Sequence, residues 1–423
     1  MSLPSLIPNP STNRKWFYGW AIVAICFVIS FVVFGVRLSF SVFFVALIEE
    51  FGWSRADTAS IFSISMIVFA STSTLAGLSL DRFGARWVVG VGAAFLGLGL
   101  VLSSQIQSIW QLAAAYGGVA SLGITILGLG PLSSLISRWF YKRRGLAIGI
   151  AFAGTGVGSL MVTPGVEFLV RTLDWRQAYL VLAGFASALI PLTRWLHSSP
   201  EEIGLAPDGD PQNHNSSGQE RWLLGKAVRT TSFWLVILAA LGAIGPVRML
   251  TVHQIAMFVD AGYDRAFAAL VVGSAGAVTA FAFIILGALS DRIDRRLVYL
   301  LGSAALIAAM LIVHNLRSVG VGFQWIGFYI VLLGVGEGSR SSLVTAMASD
   351  LFPGNALGGI NGAVGAAFGL GAAFFPWVAG YLFDLQGSYT TGLAIAGGAV
   401  VISTISLGLT SNSKLRENNG EPN

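Results

Sequence analysis

The stretch GLSLDRFGAR, Gly77 to Arg86, closes one long apolar run, and a second copy, GALSDRIDRR, Gly287 to Arg296, closes another 210 residues later. Each copy sets small residues and an Asp-Arg pair just where an apolar run meets a polar loop. A repeat of that period makes the chain two copies of one unit. The same offset carries Arg37 onto Val247, one residue from Arg248, and Pro164 matches Pro376 at offset 212. Parallel repeats of this kind build two helical bundles about an axis along the membrane normal, with a binding site near mid-membrane between them.

Working outward, the composition agrees. Hydrophobic residues make up 55% of the 423 positions and charged residues 11%, and the mean hydropathy is +0.75. An ordinary soluble domain carries about a quarter charged residues, so the chain reads as an integral membrane protein. Twelve apolar runs are long enough to cross a bilayer: 17–48, 57–80, 87–104, 109–136, 145–169, 177–196, 231–259, 266–289, 297–315, 321–349, 356–383 and 390–410. Of the 25 Lys and Arg, seventeen fall on the side that holds the N-terminus, five on the other, and three, Arg37, Arg248 and Arg340, inside spans. That bias predicts cytoplasmic N- and C-termini. The net charge of +5 therefore serves topology, and no nucleic-acid partner is expected.

The expected organisation is a cytoplasmic N-terminus at 1–16, a six-helix bundle at 17–196, a polar cytoplasmic linker at 197–230, a second bundle at 231–410 and a cytoplasmic tail at 411–423. The first apolar run is too long for a signal-peptide core and should remain as span one. Cys26 is the only cysteine, which excludes a disulfide framework and a thiol metal site. No His/Cys cluster, phosphate-binding loop or ATP motif is present, so neither enzyme chemistry nor a cofactor is expected.

Charge inside the spans marks the candidate site. A guanidinium at membrane depth costs a few kcal/mol on the mildest scales and is kept where it faces a partner or a cavity. Arg37, in GVRLSFSVFF, is 11 residues from the end of its span at Ile48, and Arg248 is 11 residues from Val259. At 1.5 Å per residue both lie roughly 16 Å deep, near the midplane, one on each bundle. Two such forks suit a carboxylate, which each can bind bidentately. His253, five residues beyond Arg248, is a further candidate for the substrate site or for a proton switch. Glu337 and Arg340, three apart in GVGEGSRSS, share a helix face and are expected to pair, nearer the cytoplasm, in proton coupling or gating. Glu167, near the outer end of span five, is expected to reach water.

GLSLDRFGAR and its copy resemble the loop signature after spans two and eight of the major facilitator superfamily. The resemblance implies an all-α fold of twelve membrane helices in two pseudo-symmetric bundles. It also implies that Asp81, Arg82, Asp291 and Arg292 form a conformational latch. RWFYKRRGLAIGIAFAGTGVG, Arg138 to Gly158, is similar to the span-five signature of monocarboxylate transporters and oxalate:formate antiporters. YGWAIV at Tyr18 and FGWSRA at Phe51 resemble bacterial members of that group, and HQIAMFVDAGYDRAFAA (from His253) and DLFPG (from Asp350) extend the likeness more weakly. The resemblance implies a secondary active transporter of a small organic anion, mono- or dicarboxylate, working by alternating access on a proton or solute gradient. One family feature is missing. The Asp and Arg that animal carriers place four apart in span eight align with Thr279 and Phe283. This leaves open a carrier of a larger or neutral metabolite, vitamin or drug, and a transporter-like sensor. The expected partners are a small anionic solute, protons and the lipid of a bacterial inner membrane, and the expected state is a monomer.

Overall fold

The computed structural model describes residues 17–140, 143–206, 224–290, 292–317, 323–352 and 357–410. The terminal segments 1–16 and 411–423 and the middle of the linker lie outside the described residues, as does Asp291. The described chain is helical, because in hydrocarbon a backbone must satisfy its own N–H and C=O groups.

The N-terminal bundle consists of α1 (Gly19–Phe51), α2 (Arg55–Phe83), α3 (Ala85–Ser103), α4 (Ile109–Trp139), α5 (Arg144–Thr172) and α6 (Trp175–Trp195). The C-terminal bundle consists of α7 (Thr231–Asp260), α8 (Arg265–Ser290), α9 (Arg295–His314), α10 (Phe323–Gly338, resuming as Ser341–Leu351), α11 (Leu357–Gln386) and α12 (Thr390–Leu409). Among the described residues, eleven helices are individually long and apolar enough to span a membrane. The tenth span, expected to run unbroken over 321–349, is interrupted at Ser339 and Arg340, where the Arg340 N–H bonds three residues back to the Glu337 carbonyl at 3.2 Å. Short polar side chains start the helices: Ser54 accepts from the Asp57 N–H, Thr230 from Phe233 and Asp294 from Arg296.

The repeat seen in sequence reappears in packing. Within the bundles α1 lies against α5 as α7 lies against α11, and between them α2 meets α11 as α8 meets α5. Glycine makes the first of these approaches possible. A Cβ on Gly158 of α5 would collide with the Phe31 carbonyl of α1, and one on Gly371 of α11 with the Leu241 carbonyl of α7. Phe31 and Leu241 are themselves 210 residues apart. The lipid-facing exterior keeps large apolar residues such as Trp87, Trp110, Phe281 and Leu301 exposed.

Candidate functional site

Four irregular turns, two in each bundle, set the chemistry at the centre. In α1 the helix breaks at Ser39, two residues past Arg37, where the Ser39 hydroxyl donates to the Gly35 carbonyl at 2.7 Å. In α7, Pro246 removes a backbone donor two residues before Arg248. Glu337 stands two residues before the break in α10. In α4, Ala113–Ala120 is wound as π-helix, and Tyr116 lies on it. Wide turns of that type re-aim side chains and recur at functional sites.

These turns bring the charges together. Arg248 donates to Glu337 at 2.7 Å, and each side chain keeps 15% exposure. The second Glu337 oxygen accepts from the Thr279 hydroxyl at 3.3 Å, and Arg248 reaches Thr251 at 3.4 Å. Arg37 lies within electrostatic range of Arg248, Glu337 and Tyr116. Among the described residues no carboxylate pairs with Arg37. Its guanidinium donates to the Met66 sulfur at 3.0 Å and sits 5.3 Å from the Phe69 ring and 6.0 Å from that of Phe34, while its Nε has no hydrogen-bond partner. Tyr116 packs on Phe40 at 5.1 Å, and its buried hydroxyl also lacks a partner. A buried hydroxyl left unbonded costs about 1–3 kcal/mol, so each such group calls for an explanation.

Three expectations require correction. Glu337 does not pair with Arg340 and does not lie apart from the arginine pair, because the break at Ser339 swings Arg340 away. Arg340 is fully buried and donates to the Tyr299 hydroxyl at 3.1 Å and to Ser303 at 3.0 Å, both on α9. His253 is not brought into contact with either site arginine. It is buried at the far end of α7, with Nε2 2.8 Å from the Pro376 carbonyl and Nδ1 3.0 Å from the Tyr389 hydroxyl. Since a carbonyl only accepts, Nε2 carries the proton, and Nδ1 accepts from Tyr389. Glu167 does not reach water: its side chain is 3% exposed and faces Arg265 of α8 across the bundle interface at 3.7 Å.

Glu167 and His253 belong to a seam that the sequence did not reveal, at the end of the bundles away from the termini. Arg55, at the start of α2, grips Asp260 of α7 with both terminal nitrogens at 2.8 Å. It also donates to the Tyr389 hydroxyl at 2.6 Å and stacks 3.8 Å from the centre of Phe383. Burial pushes the Tyr389 phenol up and Arg55 only partly offsets this, so it stays an O–H donor to His253. Asp384 of α11 accepts from the backbone N–H of Arg55 at 3.0 Å and of Ala56 at 2.7 Å, capping a helix of the opposite bundle. Arg265 also pairs with Glu49 at 2.8 Å. The distal seam is therefore shut by ion pairs between the bundles. In sequence each of these residues is an ordinary loop or helix-end charge.

The latch residues are resolved in part. Arg82 and Arg292 are exposed, the Asp81 side chain and all of Asp291 lie outside the described residues, and the ties present come from their neighbours. Arg295 binds Asp350 at 2.5 Å and Arg296 donates to the Thr410 carbonyl at 2.5 Å, fastening the α8–α9 turn within its own bundle.

Comparison with known proteins places this geometry in context. The family model described as Major Facilitator Superfamily matches residues 24–316 and 248–422. Human monocarboxylate transporter 11 is 28% identical over 406 residues, covering 94% of this chain and 84% of that protein. Chicken (Gallus gallus) monocarboxylate transporter 4 is 26% identical over 407 residues, covering 96% and 85%. Among solved structures, a bacterial homologue of the human lysosomal transporter Spinster, inward-facing and unoccupied, superimposes with TM-score 0.69 at 16% identity over 94% of this chain and 96% of that one. A D-xylose-proton symporter gives TM-score 0.70 at 14% identity, over 94% and 98%.

Proposed function

We propose, from the premise that this chain belongs to the major facilitator superfamily and is a multi-pass membrane transporter, that it moves a small organic anion of the mono- or dicarboxylate type by alternating access. One observation carries the reading. Arg37 and Arg248, from opposite bundles, meet in one electrostatic neighbourhood, and Arg37 is paired with no carboxylate among the described residues. An intramembrane cation without a fixed counter-ion suits a mobile one. The relatives named monocarboxylate transporters favour the same class of solute.

The cycle follows from the seams. With the termini cytoplasmic and the membrane a bacterial inner membrane, the seam built on Arg55 and Arg265 is the outer gate, closed here. Opening it requires breaking Arg55–Asp260 and the Asp384 cap, while α2 slides on α11 and α5 on α8. A proton or solute gradient drives the cycle, and Glu337 is the group through which a proton would act, because protonation releases Arg248 to the substrate. Arg340 serves the break in α10 from the α9 side.

Counterflow of radiolabelled carboxylates into proteoliposomes tests the reading. Exchange of at least one small carboxylate is expected, and Arg37→Gln abolishes it; a protein that binds but exchanges no anion, or an Arg37→Gln variant with unchanged exchange, would show the reading to be wrong.

A further inference from the structure

We infer that Arg340 is a positioning residue for the proposed site: held by two hydroxyls of α9, it keeps α10 broken and so leaves Glu337 to Arg248. The inference rests on the anion reading, in which Glu337 governs whether Arg248 is free for the substrate. Glu337 has two arginines to choose from. In an unbroken helix residues three apart share a face, so Glu337 and Arg340 would pair with each other and Arg248 would stand free. The α10 helix instead ends at Gly338 and resumes at Ser341, with the Arg340 N–H turned back to the Glu337 carbonyl at 3.2 Å. Glu337 then meets Arg248 at 2.7 Å. Neither Ser339 nor Arg340 forbids helix by itself, so the choice between the two partners is made outside α10.

It is made on α9. Arg340 is fully buried, and its terminal nitrogens donate to the Tyr299 hydroxyl at 3.1 Å and to that of Ser303 at 3.0 Å. These two residues are four apart and share one face of α9. Both oxygens are set as acceptors, because their own hydrogens go elsewhere. Ser303 donates to the Tyr299 carbonyl at 2.8 Å. Ser403 of α12 gives its only hydrogen to the Ala239 carbonyl at 2.6 Å, so the 2.6 Å contact between Tyr299 and Ser403 is donated by Tyr299. The chain of bonds thus runs from Arg340 to α7, the helix that carries Arg248. Gly302 admits the break to this face of α9, since a Cβ there would collide with the Ser339 hydroxyl. Stripped of its two acceptors, the buried guanidinium would be stranded, and the carboxylate one turn back on its own helix is Glu337.

Titration of the purified full chain with butyrate at neutral pH, in a mutant cycle, decides the matter. Tyr299→Phe with Ser303→Ala removes both acceptors and leaves every charge in place. Arg340 then takes Glu337, Arg248 is released to the probe, and the Kd for butyrate falls about tenfold, the scale of one charge-assisted bond. Glu337→Gln releases Arg248 directly and gives a similar gain. Combining the two adds nothing further, because both act through one carboxylate. Adding Arg340→Gln to the Tyr299→Phe/Ser303→Ala variant removes the rival cation and returns the Kd to that of the unaltered protein. Ser303→Ala alone keeps the Tyr299 anchor and gives a smaller gain, so it decides the question if the double variant does not fold. A hydroxyl-deleted variant with unchanged or weaker affinity would overturn the inference, and so would a gain that persists in the Glu337→Gln background or one that Arg340→Gln leaves in place. Each of those results leaves anion binding standing. If the unaltered protein and Glu337→Gln bind neither butyrate nor any other small carboxylate, it is the anion reading that fails, and the inference with it.

Discussion

Arg37 and Tyr116 illustrate what single residues contribute at the centre. Arg37 has neither a carboxylate partner among the described residues nor full exposure, and Tyr116 has a buried hydroxyl with nothing to bond. Replacing Arg37 by Gln removes a charge-assisted pair, and anion affinity should fall about 10- to 100-fold in a binding titration while the melting temperature changes little. Tyr116→Phe separates function from structure more sharply. Removing an unbonded buried hydroxyl relieves a desolvation penalty, so the melting temperature should hold or rise, whereas KM for the transported anion should rise about 3- to 10-fold if the hydroxyl bonds the substrate. Equal KM values in the two proteins would exclude Tyr116 from the site. Arg37 was legible because a lone arginine in an apolar span is unusual; Tyr116 was not, because a tyrosine among alanines and glycines signals packing unless the π-helical turn is seen.

At the scale of helices, the close approaches and the end-on caps carry the predictions. Gly158→Val drives a side chain into the Phe31 carbonyl of α1. Overpacking of this kind costs typically 1–3 kcal/mol, so the purified variant should melt earlier, and Gly371→Val should do the same through α7. At the distal seam, Arg55→Ala removes the bidentate pair with Asp260 and the bond to Tyr389. In a Cys26→Ser background carrying Met257→Cys, a buried reporter beside that seam, the added Arg55→Ala should raise the rate of modification by a small polar maleimide roughly tenfold, the scale of one charge-assisted bond. An unchanged rate would remove Arg55 from the gate. Helix number, the repeat and the glycine-rich spans could be read from apolar run lengths. The breaks at Ser39 and Ser339 could not, since neither residue forbids helix by itself.

For the whole molecule, alternating access requires that the seam open and close in every cycle. Ala56→Cys with Asp384→Cys, in the Cys26→Ser background, replaces a cap between bundles, Ala56 N–H to Asp384 at 2.7 Å, by a covalent tie. Oxidation should stop counterflow and reduction restore it, with the anion still bound from the opposite side. Flux that persists through oxidation would mean that this seam does not gate the path. The ion pairs and hydrogen bonds at the seam join residues from Glu49 to Tyr389, so no local reading of the chain could group them.

The sequence by itself determined the membrane class, the two-bundle architecture and the intramembrane positions of Arg37, Arg248, Glu337 and Arg340, because apolar length, internal repetition and misplaced charge are local properties. Tertiary structure alone decided the partners. It gave Glu337 to Arg248 and Arg340 to the hydroxyls of α9, set His253 against Tyr389 and Pro376 at the distal seam, and turned Glu167 from water toward Arg265. The physical reason is that the energy of a buried charge depends on what lies within a few ångströms in space, and helix breaks and bundle packing settle that distance.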